Sequence, residues 1–92
     1  MPDVGVHIIV KGVVQGVGFR YWTQRTAKNL DLVGYTQNLP DETVEIKAEG
    51  SRGIIEEFIK EVKVGPTYAH VTDLVINWYR QLHGFTDFSI KY

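Results

Sequence analysis

The sequence predicts a two-layer α/β sandwich, in which two helices cover one face of a mostly antiparallel sheet. Apolar residues recur with period two in several segments, which is typical of strands, and with spacings of three and four in two others, which is typical of helices. These segments follow one another as β-α-β-β-α-β, with a short strand at the end. Two right-handed β-α-β crossovers separated by a hairpin place both helices on the same face, the ferredoxin-like arrangement.

The first half of the chain begins with a strand and a helix. Residues 6–11 alternate between β-branched residues and a mixed set that includes His7, so one strand face is fully apolar. His7 is open to a catalytic role, although a solvated strand histidine is the favoured interpretation. After a glycine-rich loop, the pattern of residues 19–29 predicts a helix, which ends at residues 30–32. Its expected inner surface is Tyr21, Trp22, Ala27 and Leu30.

The second half predicts a hairpin, a helix and two more strands. Strands over 33–39 and 43–49 flank a hairpin loop at 40–42, and a strand over 71–79 is followed by a short one over 87–91. In the third strand Val44, Ile46 and Ala48 are expected to face the core, and Thr43, Glu45, Lys47 and Glu49 the solvent. The fourth strand is expected to carry Leu74, Ile76 and Trp78 on one face.

A second amphipathic helix is predicted between the third and fourth strands. Ser51 is a candidate N-cap, and Gly65-Pro66 ends the helix. The apolar stripe that would face the core is Ile54, Ile55, Phe58, Ile59 and Val62.

Size and composition indicate one domain spanning residues 1–92 and exclude several classes of function. The chain has 92 residues, of which 43% are hydrophobic, enough for one core. A net charge of −1 argues against a general nucleic-acid binder. The lack of cysteine excludes disulfides, thiolate metal sites and a cysteine nucleophile. Because neither a signal peptide nor an apolar run of roughly 20 residues is found, we expect a cytoplasmic protein without membrane contact.

The glycine-rich stretch from Gly12 to Arg20 carries the chemistry. A strand, a glycine loop and a helix start point several backbone N–H groups at one spot, which suits an anion and above all a phosphate. Arg20 would lie in the first helical turn, where a cation opposes the helix dipole unless an anion sits beside it. Its guanidinium can hold a phosphate through two parallel hydrogen bonds. From the residues alone, a phosphate-binding loop and a plain glycine turn remain equally open.

The whole stretch resembles the signature loop of the acylphosphatase family, Gly-x-Val-Gln-Gly-Val-x-Phe-Arg, with every fixed position present. A second family marker, Gly-aromatic-x-x-Asn, is matched at residues 34–38. Further matches lie at 44–46, 65–66, 69–71 and 88–90, so the resemblance covers nearly the whole chain and implies the same ferredoxin-like fold.

The resemblance also implies a reaction, the hydrolysis of an acyl phosphate to a carboxylate and inorganic phosphate. The implied phosphate-binding residues are Gln15, Gly16, Val17, Gly18, Phe19 and Arg20, through their N–H groups and the Arg20 side chain. Gln15 is expected to shape the loop with its side chain rather than to bind directly. Asn38 would orient the attacking water, whereas taken alone it would be a strand-end residue bonding to the following turn. Arg20 and Asn38 are thus the implied catalytic residues.

Several further expectations accompany this hypothesis. The substrate would be a small acyl phosphate, inorganic phosphate would be product and inhibitor, and no metal or cofactor is expected. The protein would be a monomer without nucleic-acid partners. His7, His70 and His83 lack the spacing of metal ligands with carboxylates, and the third strand lacks the aromatic residues of an RNA-recognition module.

One alternative comes from a different class, and two positions depart from the family pattern. The domain could instead be a non-catalytic module that binds phosphate or carbamoyl phosphate for a partner enzyme, although a chain of this length favours a free-standing enzyme. Asp31 and Glu42 stand where the family usually has Gly. Both are therefore expected to lie in turns with left-handed backbone conformation.

Overall fold

Seven regular elements follow one another in the predicted order in a computed structural model that describes residues 3–92. They are β1 (Val4–Val13), α1 (Phe19–Asn29), β2 (Val33–Asn38), β3 (Val44–Gly50), α2 (Arg52–Val64), β4 (His70–Tyr79) and β5 (Phe88–Lys91). Of the predicted 1–92 domain, Met1 and Pro2 lie outside the described residues. The β-α-β-β-α-β order with a short final strand is confirmed.

The strands form one sheet in the order β4-β1-β3-β2-β5. All neighbours are antiparallel except β2 and β5, so the sheet is mostly antiparallel, as predicted. Because β1 and β2 both run antiparallel to β3, they run in the same direction. Their C-terminal ends therefore lie at the same end of the sheet, on either side of β3. This topology brings the glycine-rich loop after β1 close to Asn38, the last residue of β2.

The core lies between the sheet and the two helices. Alternate residues of β1 and β3 are fully buried on the helix face, and α2 contributes the largest apolar stripe opposite them. Each large apolar side chain buried in this way stabilises the fold by about 1.5–3 kcal/mol. The central members are Val6, Ile8, Val10, Val44, Ile46, Ala48, Ile55, Phe58 and Val62.

The inner face of α1 differs from the predicted one at three residues, because Tyr21 lies outside it and Phe19 and Thr23, which were not predicted there, are buried. The helix buries Phe19, Thr23 and Ala27, which lie four residues apart, whereas Tyr21 is 63% exposed. The prediction for Tyr21 was wrong because residue 21 stands about 200° around the helix from residue 19. In α2, Ile54 stands at the edge of the buried stripe and is 38% exposed. Ser51 is the N-cap residue of α2, as predicted, but its side chain donates and accepts no cap hydrogen bond.

The face of the sheet that lacks helices is also partly covered, which the alternation in β3 did not predict. Glu49 was expected to face solvent, yet it is only 3% exposed. Tyr79 Oη and the His83 backbone N–H donate to Glu49 Oε2 over 2.8 and 2.9 Å. The segment after β4 therefore folds back over this end of the sheet. Thr43, also expected outside, is 9% exposed and donates its hydroxyl to Asp41 Oδ1.

Candidate active site

The loop between β1 and α1, residues 14–18, is named the cradle loop here. Gly16 and Gly18 both have φ of 75°, in the left-handed region. A Cβ at either glycine would meet nothing within 4 Å, so the backbone conformation and not a lack of space requires glycine. Gly18 is the N-cap of α1 and offers no side chain to the free amides of the first helical turn. Among residues 3–92 no backbone oxygen accepts a hydrogen bond from an N–H group of residues 15–18, and Gly16 and Gly18 line one cleft.

A cleft of about 170 Å³ opens at this edge of the sheet. It brings Arg20 and Asn38 together with three of the predicted loop residues. The lining residues are Val14, Gly16, Gly18, Phe19, Arg20, Tyr21, Asn38, Ile90 and Tyr92. Gln15 and Val17 do not line it.

Arg20 stands at the mouth of the cleft in the first turn of α1. Its Nη1 donates to the backbone oxygen of Lys91 over 3.2 Å, and its Cζ lies 5.0 Å from the centre of the Tyr92 ring. Within residues 3–92 no carboxylate forms an ion pair with Arg20. The first turn of α1 contains no acidic residue either. The guanidinium charge is therefore free to be neutralised by an anion in the cleft.

Asn38 lines the same cleft and has a buried amide oxygen. Its Oδ1 is shielded from solvent and has no hydrogen-bond partner in the described part of the chain. A buried polar atom left in this state costs about 1–3 kcal/mol, so it calls for a functional explanation. The oxygen does not bond to the following turn, which was the structural alternative for this residue.

The Gln15 side chain forms two hydrogen bonds within the protein. Its Nε2 donates to the backbone oxygen of Leu39 over 2.9 Å and to that of Thr43 over 2.8 Å. These two residues bound the β2–β3 hairpin loop. The geometry agrees with the expectation that Gln15 shapes the loop with its side chain.

Some cleft residues were not predicted from the sequence. Ile90 lies beside Thr36 in the parallel β2–β5 pair, and Tyr92 follows at the end of β5. Tyr21 was expected in the core and instead lines the cleft. The period-two pattern of Phe88 and Ile90 marks the inner face of β5, but only the strand order places that face beside Asn38.

His7 lies on the opposite face of the sheet from the cleft. Its Nε2 is 2.7 Å from Glu45 Oε2, and its side chain is 28% exposed, so it is paired and less solvated than predicted. Burial raises the pKa of Glu45, but hydrogen bonds from His7, Gln37 and Tyr35 outweigh it and lower this pKa below its usual range. Burial and the bond to Glu45 raise the pKa of Tyr35 to about 12. This network takes no part in the cleft.

The described residues form neither a metal-binding cluster nor a membrane-spanning helix. In the range 3–92 no group of three or more His, Asp or Glu side chains is arranged to hold a metal ion. In the same range neither helix has the length and apolar character needed to cross a membrane.

A model of the acylphosphatase family matches residues 6–90. The chain belongs to the acylphosphatase family. It is 47% identical over 90 residues to an acylphosphatase of Caldivirga maquilingensis, covering 97% of this chain and 95% of that one. Family membership makes the chain a hydrolase acting on acid anhydrides, as predicted.

Solved acylphosphatase structures have the same fold as this chain. The crystal structure of acylphosphatase from Bacillus subtilis superimposes with a TM-score of 0.95 at 43% identity, over 97% of this chain and 99% of that one. Full-length HypF, crystallised in its phosphate- and nucleotide-bound form, contains a similar region with a TM-score of 0.90 and 28% identity. That match covers 98% of this chain but 12% of HypF.

Proposed function

We propose that this acylphosphatase hydrolyses acyl phosphates at phosphorus without a metal ion. The cradle loop and Arg20 hold the phosphoryl group, and Asn38 orients the attacking water. One observation carries the proposal: the cleft lined by Asn38 and the glycine-rich loop holds the Arg20 guanidinium, which has no carboxylate partner among the described residues.

Phosphate binding follows from the charges and donors at the cleft. The N–H groups of residues 15–20 face an anion at the positive end of α1. Arg20 exchanges its neutral partner, the Lys91 carbonyl oxygen, for phosphoryl oxygens. A phosphoryl group carries negative charge and can accept two parallel bonds from the guanidinium, whereas the carbonyl oxygen is neutral, so this exchange favours the bound state. The same donors would bind inorganic phosphate, which makes it an inhibitor as well as a product.

The chemical step needs little beyond positioning and charge stabilisation. The side-chain amide of Asn38 orients a water molecule, which attacks phosphorus and forms a new P–O bond. The bond between phosphorus and the acyl oxygen breaks, and its electron pair leaves on the carboxylate. The water proton passes to a phosphoryl oxygen of the substrate. Because carboxylic acids have pKa values near 4, the leaving group requires neither protonation nor a metal ion.

The remaining expectations are part of the same proposal. The substrate is a small-molecule acyl phosphate, and the enzyme works as a cytoplasmic monomer without a cofactor. Neither nucleic acid nor a membrane takes part in the reaction.

The test is the turnover of benzoyl phosphate by the purified chain and by Arg20→Gln. Loss of a charged donor that stabilises the transition state costs about 3–4 kcal/mol, so turnover should fall by a factor of about a hundred to a thousand. Inhibition by inorganic phosphate should be lost as well, while circular dichroism stays that of the folded domain. Arg52→Gln is the matched control, because Arg52 begins α2 and packs over Trp78, away from the cleft. An Arg20→Gln variant retaining a tenth of the activity would contradict the assignment.

The same assay in excess EDTA tests metal independence. Turnover should be unchanged by the chelator. A loss that added Mg²⁺ or Zn²⁺ restores would reveal a metal-dependent mechanism.

A second candidate is a phosphate- or carbamoyl-phosphate-binding module that serves a partner enzyme. The likeness to one region of HypF favours it, since that region is a small part of a much longer protein. Such a module would bind inorganic phosphate in titration calorimetry and lose this binding in Arg20→Gln, yet would not hydrolyse benzoyl phosphate. Phosphate binding together with turnover excludes it.

A further inference from the structure

We propose that Gln15 is a positioning residue that fixes Asn38 relative to the cradle loop, an inference that rests on the proposed role of Asn38. Gln15 lies in the cradle loop and does not line the cleft. Its effect on catalysis therefore acts through another residue. The strand that ends at Asn38 is the element that its side chain reaches.

Both hydrogen bonds of the Gln15 amide go to the β2–β3 hairpin. One accepting carbonyl belongs to Leu39, the residue after Asn38, and the other to Thr43. Thr43 precedes Val44, which is the cross-strand partner of Asn38. The amide group thus holds both strands of the hairpin one residue beyond the Asn38–Val44 pair, on the loop side. Because the bonds are partly buried, water is a poor substitute for them.

The hairpin itself is closed by the same two residues. Leu39 N–H donates to the Thr43 oxygen over 2.9 Å, and Glu42 N–H donates to the Leu39 oxygen over 3.1 Å. Each carbonyl that Gln15 contacts therefore also accepts a hairpin hydrogen bond. The loop that holds the phosphoryl group and the hairpin that carries the water-orienting residue are in this way joined through one side chain.

Glutamine is chemically suited to this position. Its planar NH₂ group offers two donors on one nitrogen, as two neighbouring carbonyl oxygens require. Methionine has a similar length but no donor, and an ionised glutamate presents only acceptors to the two carbonyls. A displacement of about 1 Å in a catalytic geometry can lower a rate about a hundredfold. Loss of the two bonds should therefore act on the water-orienting step.

A double-mutant cycle with Gln15→Met and Asn38→Ala tests the inference. Gln15→Met alone should lower kcat for benzoyl phosphate by a factor of about 10 to 100, with KM and the inhibition constant of inorganic phosphate within about threefold of the wild type. In the Asn38→Ala background the same substitution should change kcat by less than about twofold, because the group that Gln15 positions is absent. Gln24→Leu is the matched control: it removes a glutamine bond to the Phe88 backbone oxygen outside the cleft, and kcat should not change.

Different kinetic results would contradict the role of Gln15 and the role of Asn38. An equal loss of kcat in both backgrounds would overturn the inference, since Gln15 would then act on the fold or the loop and not through Asn38. A raised KM with kcat preserved would also overturn it, in favour of a role in phosphate binding. If Asn38→Ala itself leaves kcat unchanged, the proposed function of Asn38 fails, whatever Gln15 does.

Gln15→Glu provides an isosteric variant if Gln15→Met does not fold. The two carbonyl oxygens facing the new carboxyl raise its pKa, and its protonated form regains one donor. The ratio of kcat for Gln15→Glu to that of the wild type should therefore rise as pH falls. A ratio that does not vary with pH would contradict the positioning role.

Discussion

Arg20 and Asn38 occupy positions that stability alone would not select. A cation in the first turn of α1 opposes the helix dipole, a cost of about 0.3–1 kcal/mol. The buried Asn38 Oδ1 lacks a partner in the described chain, which costs about 1–3 kcal/mol. In the proposed mechanism both costs are offset, because a phosphoryl group and a water molecule occupy the cleft. The two residues are therefore the clearest local evidence of function.

Replacing Asn38 by Ala should separate turnover from substrate binding. The residue is proposed to hold water and not substrate, so kcat should fall strongly while KM stays nearly unchanged. Asn38→Ala removes an unsatisfied buried oxygen but also packing contacts, and because these effects oppose each other the free energy of unfolding should stay within about 1 kcal/mol of the wild type. Steady-state kinetics and urea unfolding measure the two effects. A collapse in affinity with turnover retained would show that Asn38 is a substrate ligand.

At the scale of single residues, the sequence predicted several of the residues that line the cleft. It predicted less well which groups their side chains contact. The signature loop pointed to Arg20 and the Gly-aromatic-x-x-Asn match to Asn38, and both line the cleft. The partners of Gln15 depend on the register of a hairpin that begins more than twenty residues later. Tyr92 reaches the cleft only because β5 lies beside β2. Neither contact leaves a local sequence pattern.

Two turns carry non-glycine residues in a conformation that glycine adopts more readily. Asp31, after α1, has φ of 57°, and Glu42, in the β2–β3 hairpin, has φ of 71°. Both were expected to be left-handed, because the family has Gly at these positions, and the structure confirms this. Glu42 is the more strained of the two, since Asp tolerates the left-handed region better.

Glu42→Gly should raise the melting temperature modestly, and Asp31→Gly should raise it less. Relief of left-handed strain is worth roughly 1–2 kcal/mol, and the greater unfolded-state entropy of glycine offsets about 0.5–1 kcal/mol of it. Thermal melts of the two variants measure the difference, and turnover should not change in either. A lower melting temperature for Glu42→Gly would show that its side chain stabilises the hairpin by more than the strain costs.

Apolar periodicity predicted which segments are strands and which are helices. It predicted only in part which face of each element is buried. The period-two strands and both helices formed where the pattern predicted them. The inner face of α1 was misassigned at Tyr21 because an aromatic residue fits a core and a cleft equally well by composition. Periodicity reports which residues share a face, and the packing of neighbouring elements decides whether that face is buried.

The helices cover one face of the sheet, as predicted, and the segment after β4 partly covers the other face, which was not predicted. Beyond β4, residues 80–87 return across the helix-free face. Phe85 packs edge-on against Tyr35 with ring centroids 5.8 Å apart, and His83 packs against Tyr79 at 5.3 Å. This segment has no regular apolar period, so its packing across the sheet could not be predicted from the sequence. It helps to bury the carboxylates of β3.

Glu45 lies on the same face as that segment and should make stability depend on pH. Its folded-state pKa lies below the ordinary value of 4.5, because hydrogen bonds from His7, Gln37 and Tyr35 outweigh the opposing effect of burial. The ionised carboxylate therefore stabilises the fold above the unfolded-state pKa. This contribution is lost as pH falls through the lower folded-state pKa.

Glu45→Gln should accordingly destabilise the protein by about 1–2 kcal/mol at about pH 7, since it replaces charge-assisted hydrogen bonds. The difference from the wild type should shrink as pH falls towards about 3. Urea unfolding at the two pH values measures it, with Glu57→Gln as an exposed control on α2. A difference of equal size at both pH values would mean that packing, and not the charge of Glu45, accounts for the effect.

In the proposed mechanism, water attacks phosphorus in the cleft between Arg20 and Asn38. The most direct measurement is hydrolysis of benzoyl phosphate in oxygen-18-labelled water, with mass spectrometry of both products and with Arg20→Gln as the background reaction. Attack at phosphorus places the label in inorganic phosphate and leaves benzoate unlabelled, which is the predicted result. Label in benzoate would show attack at the carbonyl carbon and would contradict the roles assigned to the cradle loop, Arg20 and Asn38.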